Sequence, residues 1–229
     1  MIGDLPSFEY LLAIGLALFL GIGIHEYAHC KIADMAGDPT PGIYGRVTLN
    51  LTKHFEPTGV FMMVFTVLSG YGIGWGKPAP CNDSKMKNPR WDGFACAAGG
   101  PASNILQACF YAMILRLVAL AGIPLANLGW FAIFLFIAII INIRLALFNL
   151  IPFGLLDGHW LVGYMLPEKQ RFYWFKMNRS RTGIFLLIGL ILVSQYMERN
   201  LGWSPLTYLI DIPGDHIISF LLGDLAQQL

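Results

Sequence analysis

The constraint that acts first on this chain is the length of its uncharged runs. Tyr10 to His25, Pro57 to Gly76, Gly93 to Leu115, Leu117 to Ile143, Leu145 to Leu156 and Thr182 to Met197 contain no Asp, Glu, Lys or Arg. A helix crossing the hydrocarbon core of a bilayer needs about 20 residues at ~1.5 Å each, and several of these runs reach or approach that length. Across 229 residues, 56% are apolar or aromatic and only 13% charged, about half the charged share of an ordinary globular domain. That is too little charge to coat a soluble protein. The chain is therefore expected to be an all-α polytopic membrane protein, a helical bundle of about four to six transmembrane helices. A net charge of +1 leaves no basic excess to collect phosphates, so nucleic-acid binding is not expected. Cys30, Cys81, Cys96 and Cys109 stand singly with no C-x-x-C pair, and read as small apolar packing residues rather than a disulfide framework or zinc knuckle.

Short loops rich in Lys and Arg mark the cytoplasmic side. Segments 31–56, 77–92 and 168–181 carry such residues, whereas 121–129 carries none. If 57–76 crossed fully, its two basic flanks would fall on opposite faces. With Gly70, Gly72, Gly74 and Gly76 it reads better as a re-entrant or extended segment around 57–82, since such backbone is tolerated at membrane depth only inside protein or against a wet cavity. Helix one then runs inward over about 7–34, helix two outward over about 92–120 and helix three inward over about 127–151. Another helix is expected at 183–198, and 199–229 is broken by Pro205, Asp211, Pro213 and Asp215. The N-terminal run lacks a basic n-region and a small-residue cleavage site, so it reads as a retained helix. The whole of 1–229 reads as one membrane-embedded domain, with a core over 7–167 and C-terminal helices over 183–229. Arg144 has no evident partner.

The first run ends in His25-Glu26-Tyr27-Ala28-His29, the H-E-x-x-H pattern. Residues i and i+4 of a helix share a face, so two imidazoles can grip one metal ion and the intervening Glu can take a proton from water. Three ionisable groups at membrane depth are costly unless paired or ligated. A catalytic zinc usually has a third protein ligand. The candidates are His54, His159, His216 and Asp157, which follows twelve uncharged residues and the helix breakers Pro152 and Gly154. Asp157, His25 and His29 all come from inward-running helices, so they can meet at one depth. Cys30 lies about 100° round the helix from His29 and points off the ligand face. The GWGKP stretch with Lys77 reads as extended, able to hold an unwound substrate segment along a strand edge by main-chain hydrogen bonds.

Taken together, HEYAH at 25–29, GDPTPGIYGRVTLN at 37–50 with His54 and Pro57 after it, GWGKPAPCN at 74–82, GGPASN at 99–104 and NLIPFGLLDG at 149–158 resemble the site-2 protease family of intramembrane zinc metalloproteases, in its compact branch without a PDZ domain. The resemblance spans roughly residues 8–167. It implies one zinc per chain held by His25, His29 and Asp157, Glu26 as general base, and Asn104 and Asn149 at positions that hold substrate or oxyanion. One departure is Phe153-Gly154 where compact members often carry a second proline before the Leu-Asp-Gly.

The expected activity is hydrolysis of a peptide bond in or near a transmembrane segment of a substrate protein by water that zinc activates. The expected partners are that substrate and the lipid bilayer, and the expected place is the plasma membrane with the site toward the cytoplasm. A non-catalytic metal-binding scaffold is the alternative, though it has no need of Glu26. A lipid di-iron oxidase would need more than the five histidines present.

Overall fold

Ser7 starts the first helix by accepting the Tyr10 amide on its side-chain oxygen at 3.3 Å, a cap that satisfies one of the orphan N–H groups of a helix start. The computed structural model describes residues 7–69, 75–179 and 181–227. Its helices are α1 (Phe8–Met35), α2 (Thr40–Ile43), α3 (Pro57–Ser69), α4 (Pro89–Leu120), α5 (Trp130–Asn149), α6 (Asp157–Met165), α7 (Glu168–Arg179), α8 (Arg181–Leu201) and α9 (Ile212–Leu222). No strand occurs among the described residues. Within them, three helices, α1, α4 and α5, are long and apolar enough to cross a membrane. The all-α polytopic expectation is met.

Helices α1, α4 and α5 enclose the main core. Ala13 and Ala17 of α1 are fully buried with Ala108 and Leu115 of α4 and Leu135, Ala138 and Ile139 of α5. Small side chains let helices approach closely where lipid gives no hydrophobic push between them. Helices α1 and α5 run in the same direction. Trp130 Nε1 donates to the Glu9 carbonyl at their starts, and Gly21 of α1 faces Asn142 of α5 further along. That parallel pairing is the one expected if 57–76 does not cross.

The segment 57–82 divides in two. α3 has 13 residues, about 20 Å of helix, which falls short of the ~30 Å hydrocarbon core. The run from Trp75 to Asn82 is neither helix nor strand. Gly70, Gly72 and Gly74, used in the re-entrant argument, lie outside the described residues. The described part of GWGKP, Trp75–Pro78, forms neither helix nor strand, and the main chain of Lys77 is engaged within the protein. Its N–H donates to the His54 carbonyl at 2.8 Å and its carbonyl accepts from Arg46.

The region after 150 is more structured than its charge pattern indicates. The basic stretch 168–181 contains helix α7, and α9 sends Ile218 and Leu222 into the main core. Arg116 of α4 donates to the Phe220 and Leu221 carbonyls at 3.1 and 2.6 Å, placing a cation on the negative end of α9. The partner of Arg144 comes from this region too: Nε lies 3.3 Å from Asp211 and Nη2 3.7 Å from Asp215.

Candidate metal centre

Helix geometry puts His25 and His29 one turn apart on the face of α1 that meets α4, both 7% exposed. Asp157 arrives from the far end of α5 through the turn at Gly154, whose φ of +66° favours glycine, and becomes the first residue of α6. A Cβ on Gly158 would run into the Leu150 carbonyl, so glycine there lets α6 fold back tightly enough to carry Asp157 to α1. His25 Nε2 stands 3.1 Å from Asp157 Oδ2 and His29 Nε2 stands 3.3 Å from Asp157 Oδ1. The two Nε2 atoms are 3.1 Å apart.

What these atoms carry follows from the opposite side of each ring. His29 Nδ1 is 2.7 Å from the Cys96 carbonyl, which only accepts, so Nδ1 holds the proton. His25 Nδ1 is 2.7 Å from Asn104 Oδ1, with the same consequence. Both Nε2 atoms therefore turn lone pairs toward each other and toward a carboxylate. Asp157 Oδ2 receives no hydrogen bond. With both rings neutral, three lone-pair donors meeting within 4.8 Å repel unless a cation, a metal ion or a proton, joins them. The donor set also fits the ion the motif implies. Two imidazoles and a carboxylate are catalytic-zinc ligands, and a tetrahedral zinc sets such donors about 3.4 Å apart. Each histidine donates its other ring nitrogen to an orienting oxygen, as metal-bound imidazoles do. Gly100 of α4 completes the cradle, since a Cβ there would touch both rings.

Glu26 lies beside this group, near enough for the charges of His29, His25, Asp157 and Arg46 to act on it. Its Oε2 is buried without a hydrogen-bond partner. Gly76 packs against it, with an added Cβ only 3.0 Å from Glu26 Cγ and 2.7 Å from Ile22. The Trp75–Asn82 segment thus passes directly over the base. Arg46, 3% exposed, holds it there by donating to the Lys77 and Pro78 carbonyls and to His54 Nδ1 at 3.4 Å. Asp38, fully buried, fastens the far end by accepting the Asn82 amide at 2.6 Å. Arg46 and Asp38 were not singled out in the sequence. Their signal there was one Arg and one Asp within 37–50, a stretch otherwise rich in Gly, Pro and Thr.

The other sequence candidates separate cleanly. His54 is buried away from the donors, its Nε2 giving a hydrogen bond to the Thr48 carbonyl at 2.9 Å. Burial pushes its imidazole down, against the Thr48 bond and with help from the Arg46 charge, so it is neutral. His159 points among Trp160, Trp174 and Phe175, with ring centroids 5.2 to 5.8 Å away, and burial pushes it down to about 4. Asn104 is wholly buried. Its two amide hydrogens go to the Gly21 carbonyl at 3.1 Å and Asn142 Oδ1 at 2.8 Å. It therefore faces His25 as an acceptor and has no hydrogen left for an oxyanion. Asn149, half-buried at the end of α5, gives one amide hydrogen to the Leu145 carbonyl at 2.9 Å. The Lys77 side chain is exposed.

Comparison with known proteins agrees with this chemistry. A "Putative zinc metalloprotease YwhC" from Bacillus subtilis (strain 168) is 31% identical over 183 residues, covering 78% of this chain and 79% of the relative. The model of peptidase family M50 matches residues 116–190. The chain belongs to peptidase family M50. That is the site-2 protease family of zinc metalloproteases, as the motifs implied. The matched region contains Asn149 and Asp157, whereas His25, Glu26 and His29 lie N-terminal to it. The H-E-x-x-H half of the centre is thus read from the chain's own residues and geometry. No solved structure matches the chain.

Proposed function

We propose that this M50 peptidase is an intramembrane zinc endopeptidase that hydrolyses a peptide bond in or near a transmembrane segment of a substrate protein. The observation that carries the reading is the convergence of three lone-pair donors, His25 Nε2, His29 Nε2 and an Asp157 oxygen, beside the unpartnered Glu26 Oε2. His25, His29 and Asp157 would hold one zinc ion per chain, which would supply the Lewis acidity that lets water lose a proton near neutral pH and act as the nucleophile. Glu26 accepts the proton of the attacking water and delivers it to the leaving nitrogen. His29 and His25 keep their Nε2 lone pairs inward because Cys96 and Asn104 hold the Nδ1 protons. Asn149 retains one amide hydrogen that can meet the developing oxyanion, the role in which a single donor is worth about 10²–10³ in rate.

The substrate is a membrane protein whose helix must open locally before its amides reach the centre. The Trp75–Asn82 segment, with Gly76 beside Glu26 and Lys77 exposed, supports a reading in which it lines the entering strand. The basic loops 31–56, 77–92 and 168–181 support a centre that faces the cytoplasm, and the plasma membrane is the simplest placement for the enzyme.

The test is a panel of single-span reporter proteins co-expressed with the wild type or with Glu26→Gln, which keeps side-chain size and removes the base. Cleavage by the wild type alone, at equal zinc content, is the expected result. Equal cleavage by both, or zinc-loaded wild type that cleaves nothing across a broad panel, would favour the metal-binding scaffold.

A further inference from the structure

The hydrogen bonds behind His25 run through Asn104 and end, one helix away, on Asn142. This residue lies in the second half of the apolar α5, two residues before Arg144, and is wholly buried. A buried amide among Ile and Ala side chains is costly unless every polar atom is matched. Asn142 Nδ2 donates to the Ala138 carbonyl at 2.9 Å. A backbone carbonyl cannot donate, so this contact decides which end of the Asn142 amide is nitrogen. Its oxygen must then face Asn104, where it accepts Nδ2 at 2.8 Å. The Gly21 carbonyl takes the other Asn104 hydrogen at 3.1 Å. Asn104 can therefore present only Oδ1 to His25, 2.7 Å from Nδ1.

We propose that Asn142 is a positioning residue of the metal centre: by fixing the direction of the Asn104 amide it sets the tautomer of His25 and keeps the Nε2 lone pair on the metal side. The inference rests on reading His25 as a metal ligand. Asn142 is not among the three donors and acts through Asn104 alone. Its effect on binding follows from what outer partners of metal-bound imidazoles are worth, about 10–100-fold in metal affinity.

A role as a mere tie between α4 and α5 predicts something different, and two variants separate the readings. Asn142→Leu removes the polarity at similar size. Asn142→Asp, held neutral by its apolar surroundings, keeps a C=O for Asn104 and an O–H for Ala138, reproducing the donor and acceptor order. Zinc affinity of the full chain in detergent micelles is measured by chelator competition, and the His25 tautomer by nitrogen-15 NMR of the metal-free protein, with His25 assigned by difference from His25→Gln. Expected are zinc binding weakened at least tenfold in Asn142→Leu and within about threefold of wild type in Asn142→Asp, with Nδ1–H His25 in wild type and an Nε2–H fraction appearing in Asn142→Leu. Unchanged affinity in Asn142→Leu, or Asn142→Asp as weak as Asn142→Leu, would overturn the proposal. Should Asn142→Leu not fold, the wild-type tautomer still decides, because Nε2–H at His25 contradicts it outright. A wild type with the Nδ1–H tautomer that binds no zinc would instead overturn the metal reading on which the role depends.

Discussion

Gly100→Ala tests the metal centre through one added methyl group. An ideal Cβ at Gly100 lies 2.6 Å from His25 Nε2 and also against His29 Nε2, where ordinary contact begins at 3.4 Å. The His25 ring must therefore retreat by about 0.8 Å, whereas zinc–donor distances hold to within about 0.2 Å. Neither imidazole can move that far and keep its 2.7 Å Nδ1 hydrogen bond. The expected loss is at least about 100-fold in zinc affinity, or roughly 2.8 kcal/mol. The helix itself is no worse for the change, since alanine is favoured over glycine in a helix by about 0.5–1 kcal/mol. The assay is chelator competition on protein whose thermal unfolding matches wild type. Gly99→Ala is the paired control: its Cβ would meet the Cδ1 end of Ile32, with the Ala28 carbonyl 3.6 Å away, and a flexible side-chain tip can turn aside. Zinc binding by Gly100→Ala within threefold of wild type would refute the convergence of the two rings on one ion.

Three further outcomes are expected. Arg46→Gln removes the cation that holds Lys77 and Pro78, so the half-buried Cys81 should be alkylated at least tenfold faster by a maleimide, read by peptide mass spectrometry; an unchanged rate would show that other contacts hold the segment. Asp38→Asn turns an N–H toward the Asn82 amide and should cost about 1–3 kcal/mol. Burial acts to raise the Asp38 carboxyl, but hydrogen bonds from the Thr40 hydroxyl and the Asn82 and Thr40 amides outweigh it and hold it below 3.8. Its contribution is then complete above pH 3.8 and lost as pH falls through the lower folded value, so wild-type and Asp38→Asn unfolding temperatures should converge only in strong acid. His159→Phe should leave zinc content at wild-type level, since that ring packs among aromatics; a loss of zinc would return His159 to the ligand set.

The parts of the centre legible in the sequence were those announced by charge out of place. His25, Glu26 and His29 close one apolar run and Asp157 closes another, and the two helices run parallel to each other, as expected. α1 and α4 begin and end within about three residues of the expected bounds, because their hydrophobic runs decide their length. Asn104 was visible as a polar residue in a helix, but its direction depends on Asn142 and Gly21, contributed by two other helices. Arg46 looked like one more basic loop residue, since nothing local says that a loop cation will turn inward to carbonyls 31 and 32 residues away. Arg144 stayed unpaired for the same reason: Asp211 and Asp215 sit in a proline-interrupted stretch that packs against α5 and α4 from far along the chain.

The spacing of the donors along the chain has a consequence for biosynthesis. His25 and His29 belong to the first helix made, and Asp157 is contributed only after α4 and α5 have been laid beside it. A growing chain thus holds two imidazoles and a base in the bilayer for as long as it takes to synthesise some 128 residues, yet its metal cradle lacks a wall until the Gly154 turn has folded back. The three-donor set is completed in a single late event. Partial products, stalled chains and nicked fragments ending before α6 therefore carry the H-E-x-x-H helix without the carboxylate that completes the donor set.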